Sequence, residues 1–214
     1  MALLRDKDRE AVSERLNEMT GKAKLVFFTQ EIECQYCKET GELLSEVAEL
    51  SDKLELETYN FVTDKEMSEK FNIAQIPAIA VLAEDGVDRG LRYYGIPSGY
   101  EFASLLEDIL MVSANDSGLE DETRQALANL SDPVHMQVFV TPTCPYCPGA
   151  VRLAHQMAFE SDKVRADMVE ASEFPHLAMK YNVQGVPRTV INETHAVEGM
   201  VPEQMILQEV LKAV

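Results

Sequence analysis

The 214-residue chain has no tryptophan, four histidines, four cysteines and only 19 basic residues against 37 acidic ones. That shortage of lysine and arginine leaves a formal charge of −18. Such a surface repels phosphate backbones and anionic headgroups, which argues against nucleic-acid and membrane-surface roles. The simplest consequence of the acidity is solubility. No apolar run approaches the roughly 20 residues of a membrane-spanning helix, and Met1–Glu10 lacks the apolar core of a signal peptide. The expected location is therefore cytoplasmic. His135, His155, His176 and His195 show no metal-ligand spacing and receive no role. In a reducing cytosol, scarce paired cysteines are more often catalytic or metal-binding than structural.

All four cysteines fall in two Cys-x-x-Cys units, Cys34-Gln35-Tyr36-Cys37 and Cys144-Pro145-Tyr146-Cys147. Each follows a hydrophobic run (Leu25 to Thr29; Met136 to Val140) and precedes a segment with helical spacing. Leu43, Leu44, Val47, Ala48 and Leu50 form one apolar helix face after the first unit. Leu54 to Tyr59 alternates apolar and polar, as a half-buried strand does. A short helix over 64–71, the dipeptide Ile76-Pro77 and a strand over 78–83 follow. Glu84-Asp85-Gly86 reads as a hairpin turn, a strand returns over 89–94, and a helix covers 100–112.

The second half replays that order, with helices over 119–130, 150–159, 173–181 and 203–213 and strands over 135–141, 163–169, 189–192 and 195–198. Cys34 and Cys144 are 110 residues apart, as are Pro77 and Pro187, and Phe71-Asn72-Ile73 matches Tyr181-Asn182-Val183 at the same offset. Internal duplication follows. With 46% hydrophobic residues, the chain can fill two cores of about 100 residues each. The predicted domains are 1–115 and 116–214, joined by the polar stretch 113–118.

Each half resembles a thioredoxin fold, with Cys-x-x-Cys after the first buried strand and Ile-Pro or Val-Pro before the hairpin. Two such units in tandem, each with a dithiol, resemble the glutaredoxin-like protein disulfide oxidoreductases of archaea and thermophilic bacteria. Cys-Pro-Tyr-Cys is in addition the glutaredoxin tetrapeptide. The resemblance implies an α/β protein of two tandem thioredoxin-like folds. Each would have a central mixed four-stranded sheet, flanking helices and an extra N-terminal helix. It also implies cis peptides before Pro77 and Pro187, where an extended substrate would pair with Ile76 and Val186. One departure is clear: thioredoxin's buried acid, six residues before its first cysteine, is replaced by Phe28 and Val138.

The chemistry of such dithiols is specific. A free cysteine with a pKa of about 8.5 is mostly protonated at neutral pH, and a helix N-terminus stabilises its thiolate. Cys34 and Cys144 are expected at those helix ends as attacking thiols, with Cys37 and Cys147 resolving the mixed disulfide. Pro145 and Pro148 suit a first turn, where a missing N–H costs little. The Pro-Tyr spacer points to a potential in the glutaredoxin range of about −200 to −230 mV. Tyr36 and Tyr146 either line the substrate groove or pack on their own helices.

The expected activity is reduction, oxidation or isomerisation of protein disulfides, without a bound cofactor and with electrons from a partner reductase. A rival within redox chemistry is an electron carrier between a flavin-containing thioredoxin reductase and a peroxiredoxin. A rival of another class is a non-catalytic binding or chaperone module, which would need neither dithiol. Zinc is a further alternative, but zinc ribbons separate their cysteine pairs by roughly 15–20 residues, and here a whole module intervenes. Met157, Met168, Met179, Met200 and Met205 read as core filler.

The two dithiols are not equivalent. Glu31 and Glu33 precede Cys34, whereas Thr141, Pro142 and Thr143 precede Cys144, and nearby carboxylates disfavour a thiolate. Lys38 offsets part of that difference. In variants that keep one dithiol each, Cys144 should alkylate faster than Cys34 at neutral pH. Measured iodoacetamide rates in the opposite order would reverse the ranking.

Overall fold

The computed structural model describes residues 3–214. Contacts divide the chain into two compact units. One comprises residues up to Asp88 with Tyr93–Ile96 and Leu106–Asp116; the other comprises Arg89–Arg92, Pro97–Leu105 and Ser117–Val214. The last break falls beside the 115/116 division drawn from sequence, but two short segments between residues 89 and 105 group with the second unit.

The first half runs α1 (Asp6–Leu16), β1 (Ala23–Thr29), α2 (Cys37–Ala48), β2 (Leu54–Asn60), α3 (Lys65–Lys70), β3 (Ala78–Ala83), β4 (Leu91–Tyr94) and α4 (Glu101–Ala114). The second runs α5 (Asp121–Ala128), β5 (Val134–Val140), α6 (Cys147–Glu160), β6 (Val164–Glu170), α7 (Pro175–Lys180), β7 (Arg188–Ile191), β8 (His195–Glu198) and α8 (Glu203–Lys212). Strand order is β2-β1-β3-β4 in one half and β6-β5-β7-β8 in the other. In each, the strand before Cys-x-x-Cys pairs in parallel with the strand after the crossover helix and antiparallel with the strand after the X-Pro. Each half is thus a mixed four-stranded sheet with flanking helices.

Burial explains the strand assignments. Leu25, Val26, Phe27 and Phe28 in β1 and every residue of β3 are buried, as central strands covered on both faces must be. β2 lies half open at the edge of its sheet, and past Leu54 its burial does not follow the alternation of its sequence. β6, its counterpart, is buried almost throughout, and Ala166 N–H donates to the Gly90 carbonyl at 3.0 Å. Leu43, Leu44 and Val47 form the apolar stripe that seats α2 on β1 and β2; Val151, Ala154, Met157 and Ala158 do the same for α6 on β5 and β6.

Several expectations shift in detail. The extra N-terminal helix, α1, ends at Leu16, and Gly21 beyond it serves a close approach: a Cβ there would lie 2.8 Å from the Ser113 carbonyl oxygen. Asp85-Gly86 does turn, with Gly86 N–H donating to Ala83 O at 3.0 Å, but β4 begins only at Leu91, so no two-residue hairpin forms. Of the five methionines read as core filler, only Met157 and Met168 are core; Met179, Met200 and Met205 are exposed. Met205 lies off the buried stripe of α8 (Ile206, Leu207, Val210), α7 around Met179 buries no residue, and Met200 lies in the loop before α8.

The 110-residue offset also has a limit. β2 and β6 keep it, yet Ala23 pairs with Leu54 where Val134 pairs with Val164, so β1 is offset from β5 by 111. The residue equivalent to Val138 is therefore Phe27, not Phe28. The difference lies in the loops: four residues separate β1 from Cys34 and three separate β5 from Cys144. Glu33, just before Cys34 in the longer loop, takes a left-handed φ of 58°, a conformation uncommon for a side chain of that size.

One buried cluster was invisible in sequence. Asp167 on β6 is almost fully enclosed, with His135 Nε2 at 2.6 Å and Arg165 Nε at 2.8 Å. Register makes this possible, because His135 faces Arg165 and Gln137 faces Asp167 across the parallel pair. Burial alone would raise the Asp167 carboxyl; the hydrogen bond with His135 and the Arg165 charge more than reverse it, so its pKa is lowered. A carboxylate lowered in the folded state contributes stability above its unfolded pKa of about 3.9 and loses it as pH falls through the lower folded value. Asp167→Asn should therefore cost about 2 kcal/mol at neutral pH, the lower end for a buried pair whose partners are partly solvated. Denaturant titrations should show the deficit shrinking below about pH 4.

Candidate active site

Both Cys-x-x-Cys units lie between the end of a buried parallel strand and the start of a helix. Cys34–Cys37 and Cys144–Cys147 are each closed as a disulfide, with Cα atoms 5.5 Å apart. Each helix begins three residues after the cysteine expected at its end, and α6 begins ahead of the residue 150 read from sequence: Tyr36 and Tyr146 are the N-caps and Cys37 and Cys147 the first helical residues. Cys34 and Cys144 thus precede the helices rather than open them. They still face the end where N–H groups lack intrahelical acceptors. Thr40 N–H is the first to turn inward, donating to Tyr36 O at 2.9 Å. In α6, Pro148 removes one of the unpaired donors.

Burial separates the two cysteines of each pair. Cys37 is 2% exposed and Cys147 fully buried, while Cys34 is half-buried and Cys144 retains 8% exposure. In each pair, the first cysteine is the more exposed. Both X-Pro bonds, Ile76-Pro77 and Val186-Pro187, are cis. Gly95 N–H donates to Pro77 O at 3.0 Å and Gly199 N–H to Pro187 O at 2.8 Å, tying each proline loop to the residue just past β4 or β8. Cys144 Sγ lies 3.7 Å from the Val186 carbonyl oxygen, so this loop and the second dithiol form one site.

The surroundings differ between the sites. Glu31, Ile32 and Glu33 are exposed beside Cys34, and Tyr36 is half-buried. Around Cys144 the segment 141–148 carries no charge, and Tyr146 is 67% exposed. Two neighbours of the second site had no sequence signal. Tyr100 N–H donates to Pro142 O at 3.0 Å, and Gly99 lies so close that any Cβ would collide with the Pro142 carbonyl. Met200 packs on Gly149 in the first turn of α6, where a Cβ would meet its sulfur at 2.5 Å. Both contacts join segments far apart in the chain.

Comparison with known proteins agrees with this geometry. A thioredoxin-domain profile matches residues 134–212 and a thioredoxin-like-domain profile residues 13–110. The crystal structure of a protein disulfide oxidoreductase from Aeropyrum pernix superposes with a TM-score of 0.91 at 33% identity, covering 97% of this chain and 92% of that one. The chain belongs to the thioredoxin-fold protein disulfide oxidoreductases. It is also similar to the alkylhydroperoxide reductase component AhpF from Enterococcus faecalis, with a TM-score of 0.88, 27% identity and coverage of 96% and 98%. The corresponding alkyl hydroperoxide reductase component from Staphylococcus aureus is 28% identical over 172 residues, 80% of this chain but 31% of that protein. The chain thus spans about a third of the length of the curated relatives it matches. Among the described residues no helix is long and apolar enough to cross a membrane.

Proposed function

We propose that this protein catalyses thiol–disulfide exchange on protein substrates through both dithiols. The observation that carries this reading is the second site, where a Cys144–Cys147 disulfide at a helix N-terminus lies 3.7 Å from the carbonyl of a cis X-Pro loop. In the reducing direction, the Cys144 thiolate attacks one sulfur of a substrate disulfide and expels the other. The Cys147 thiolate then attacks Cys144, releasing the substrate as a dithiol and closing the protein disulfide. Oxidation and isomerisation use the same steps in reverse or in part. Cys34 and Cys37 act likewise. Ile76-Pro77 and Val186-Pro187 offer backbone to an extended substrate, and exposed Tyr146 adds an apolar contact. The protein needs no cofactor of its own in this scheme and takes its electrons from a partner reductase. Glu31 and Glu33 beside Cys34 favour Cys144 as the more reactive thiol.

A second reading has its own support. Similarity to the AhpF components of alkyl hydroperoxide reductases covers most of this chain. It favours a carrier role in which the dithiols relay electrons from a flavin-containing reductase to a peroxiredoxin.

Insulin-disulfide reduction, run with either thioredoxin reductase or glutathione as electron source, tests the exchange reading. Cys34→Ser and Cys144→Ser should each leave partial activity, the second losing more, and the double variant should be inactive. Unchanged turnover in the double variant would refute catalysis by the dithiols. Turnover of reductase and peroxiredoxin with none on insulin would favour the carrier.

A further inference from the structure

The first unit contains a groove of about 610 Å³ at a place that side chains fill in the second. Its lining comes from β1 (Phe27, Thr29), from β2 (Thr58) and from α2, including Cys37, Gly41 and Ser45. Equivalent positions in the second unit show how it is made. Gly41, Ser45, Thr58 and Thr29 correspond to Val151, His155, Met168 and Val140, each of which is fully buried. Small or hydroxyl side chains in one copy thus open the space that large ones fill in the other. The groove reaches Cys37, the more buried sulfur of its pair, from the β2 side, whereas Pro77 precedes β3 on the other side of β1.

Resolution of a mixed disulfide on Cys34 requires Cys37 as a thiolate. A thiol only 2% exposed holds its proton more firmly than a free one, and that proton must leave by whatever opening reaches the residue. β1 lines the groove only with Phe27 and Thr29, so that strand supplies no base. The charged groups lining the groove are Lys38, Glu42 and Glu46, all on α2; β1 and β2 contribute none. Glu46 is committed elsewhere, accepting from Leu3 N–H at 2.7 Å, Leu4 N–H at 3.0 Å and Arg9 at 3.4 Å. Lys38 is a cation and a loose partner of Glu42 at 3.9 Å. Glu42 is the carboxylate that remains.

We propose that the groove is the proton exit of Cys37 and that Glu42 receives the proton through water held in it. The inference rests on the exchange reading above. Cys37 S–H gives its proton to the Glu42 carboxylate by way of water, and the Cys37 thiolate attacks Cys34 Sγ in the Cys34–substrate disulfide. The Cys34–Cys37 bond forms, the Cys34–substrate bond breaks, and the substrate sulfur leaves as a thiolate that takes a proton from solvent. Glu42 is thus a positioning residue for proton transfer. A volume of this size accommodates several waters, and its hydroxyl lining gives them partners.

The test uses full-length protein with Cys144→Ser and Cys147→Ser, leaving only the first dithiol. Thionitrobenzoate is placed on Cys34 in acid, where Cys37 stays protonated, and its release is followed by absorbance after a jump to higher pH. Glu42→Gln and the groove-filling Thr58→Met should each slow release about tenfold near neutral pH, with the release profile displaced to higher pH. Glu42→Asp should recover part of the rate. The Glu42 side chain is 43% exposed, so the glutamine variant keeps the fold. Release from Glu42→Gln matching the parent across the whole profile would overturn the proposal. So would equal slowing of release from Cys144 in a Cys34→Ser, Cys37→Ser protein. No release from the unaltered first dithiol would instead count against the exchange reading itself.

Discussion

A parallel strand pair cannot be closed by a tight turn, and both halves of this protein are built on one. β1 with β2, and β5 with β6, run in parallel, so the chain must leave the end of the first strand, cross the sheet as a helix and return. That crossover forces the carboxyl end of a buried strand to meet the amino end of a helix. The dithiol occupies this junction in each half. The strand fixes the position of the loop, the helix offers unpaired N–H groups and positive partial charge, and the antiparallel neighbour on the other side brings in the X-Pro. Remove the parallel pairing and none of these groups meets another.

The same frame carries two different sites. An additional residue before Cys34, with Glu33 in left-handed conformation, gives the first dithiol an acidic approach. The second lies in an uncharged loop held by Tyr100 from one side and beside the Val186 carbonyl on another. Behind the first dithiol the protein is open; behind the second it is filled by Val151, His155 and Met168. Access and charge thus differ between two copies of a site built on one backbone plan.

Much of this was legible in the chain. The two Cys-x-x-Cys units, their common offset to Pro77 and Pro187, and the alternation of strand and helix patterns placed every element in the right order. Boundaries were less secure, because helix ends depend on which N–H finds an acceptor. The helical spacing after Cys34 could not show that α2 starts at Cys37. The methionine reading failed for Met179, Met200 and Met205 because a flexible apolar side chain carries no periodic signal of its own. His135 had no ligand spacing in the sequence, yet parallel register sets it against Asp167, 32 residues away.

The sequence by itself determined the local chemistry: which sulfurs pair, which strands are buried, where the helices must lie and the acidity of the surface. These follow from composition and short-range periodicity, which each segment carries wherever it is placed. Tertiary structure alone decided the long-range juxtapositions: Val186 against Cys144, Glu46 against the amides of Leu3 and Leu4, and the space beside Cys37. A groove has no sequence signature, because it arises where side chains from three separate elements are too small to fill the gap between them. Gly41, Ser45 and Thr58 are unremarkable in the chain and become a feature only once α2 lies across β1 and β2.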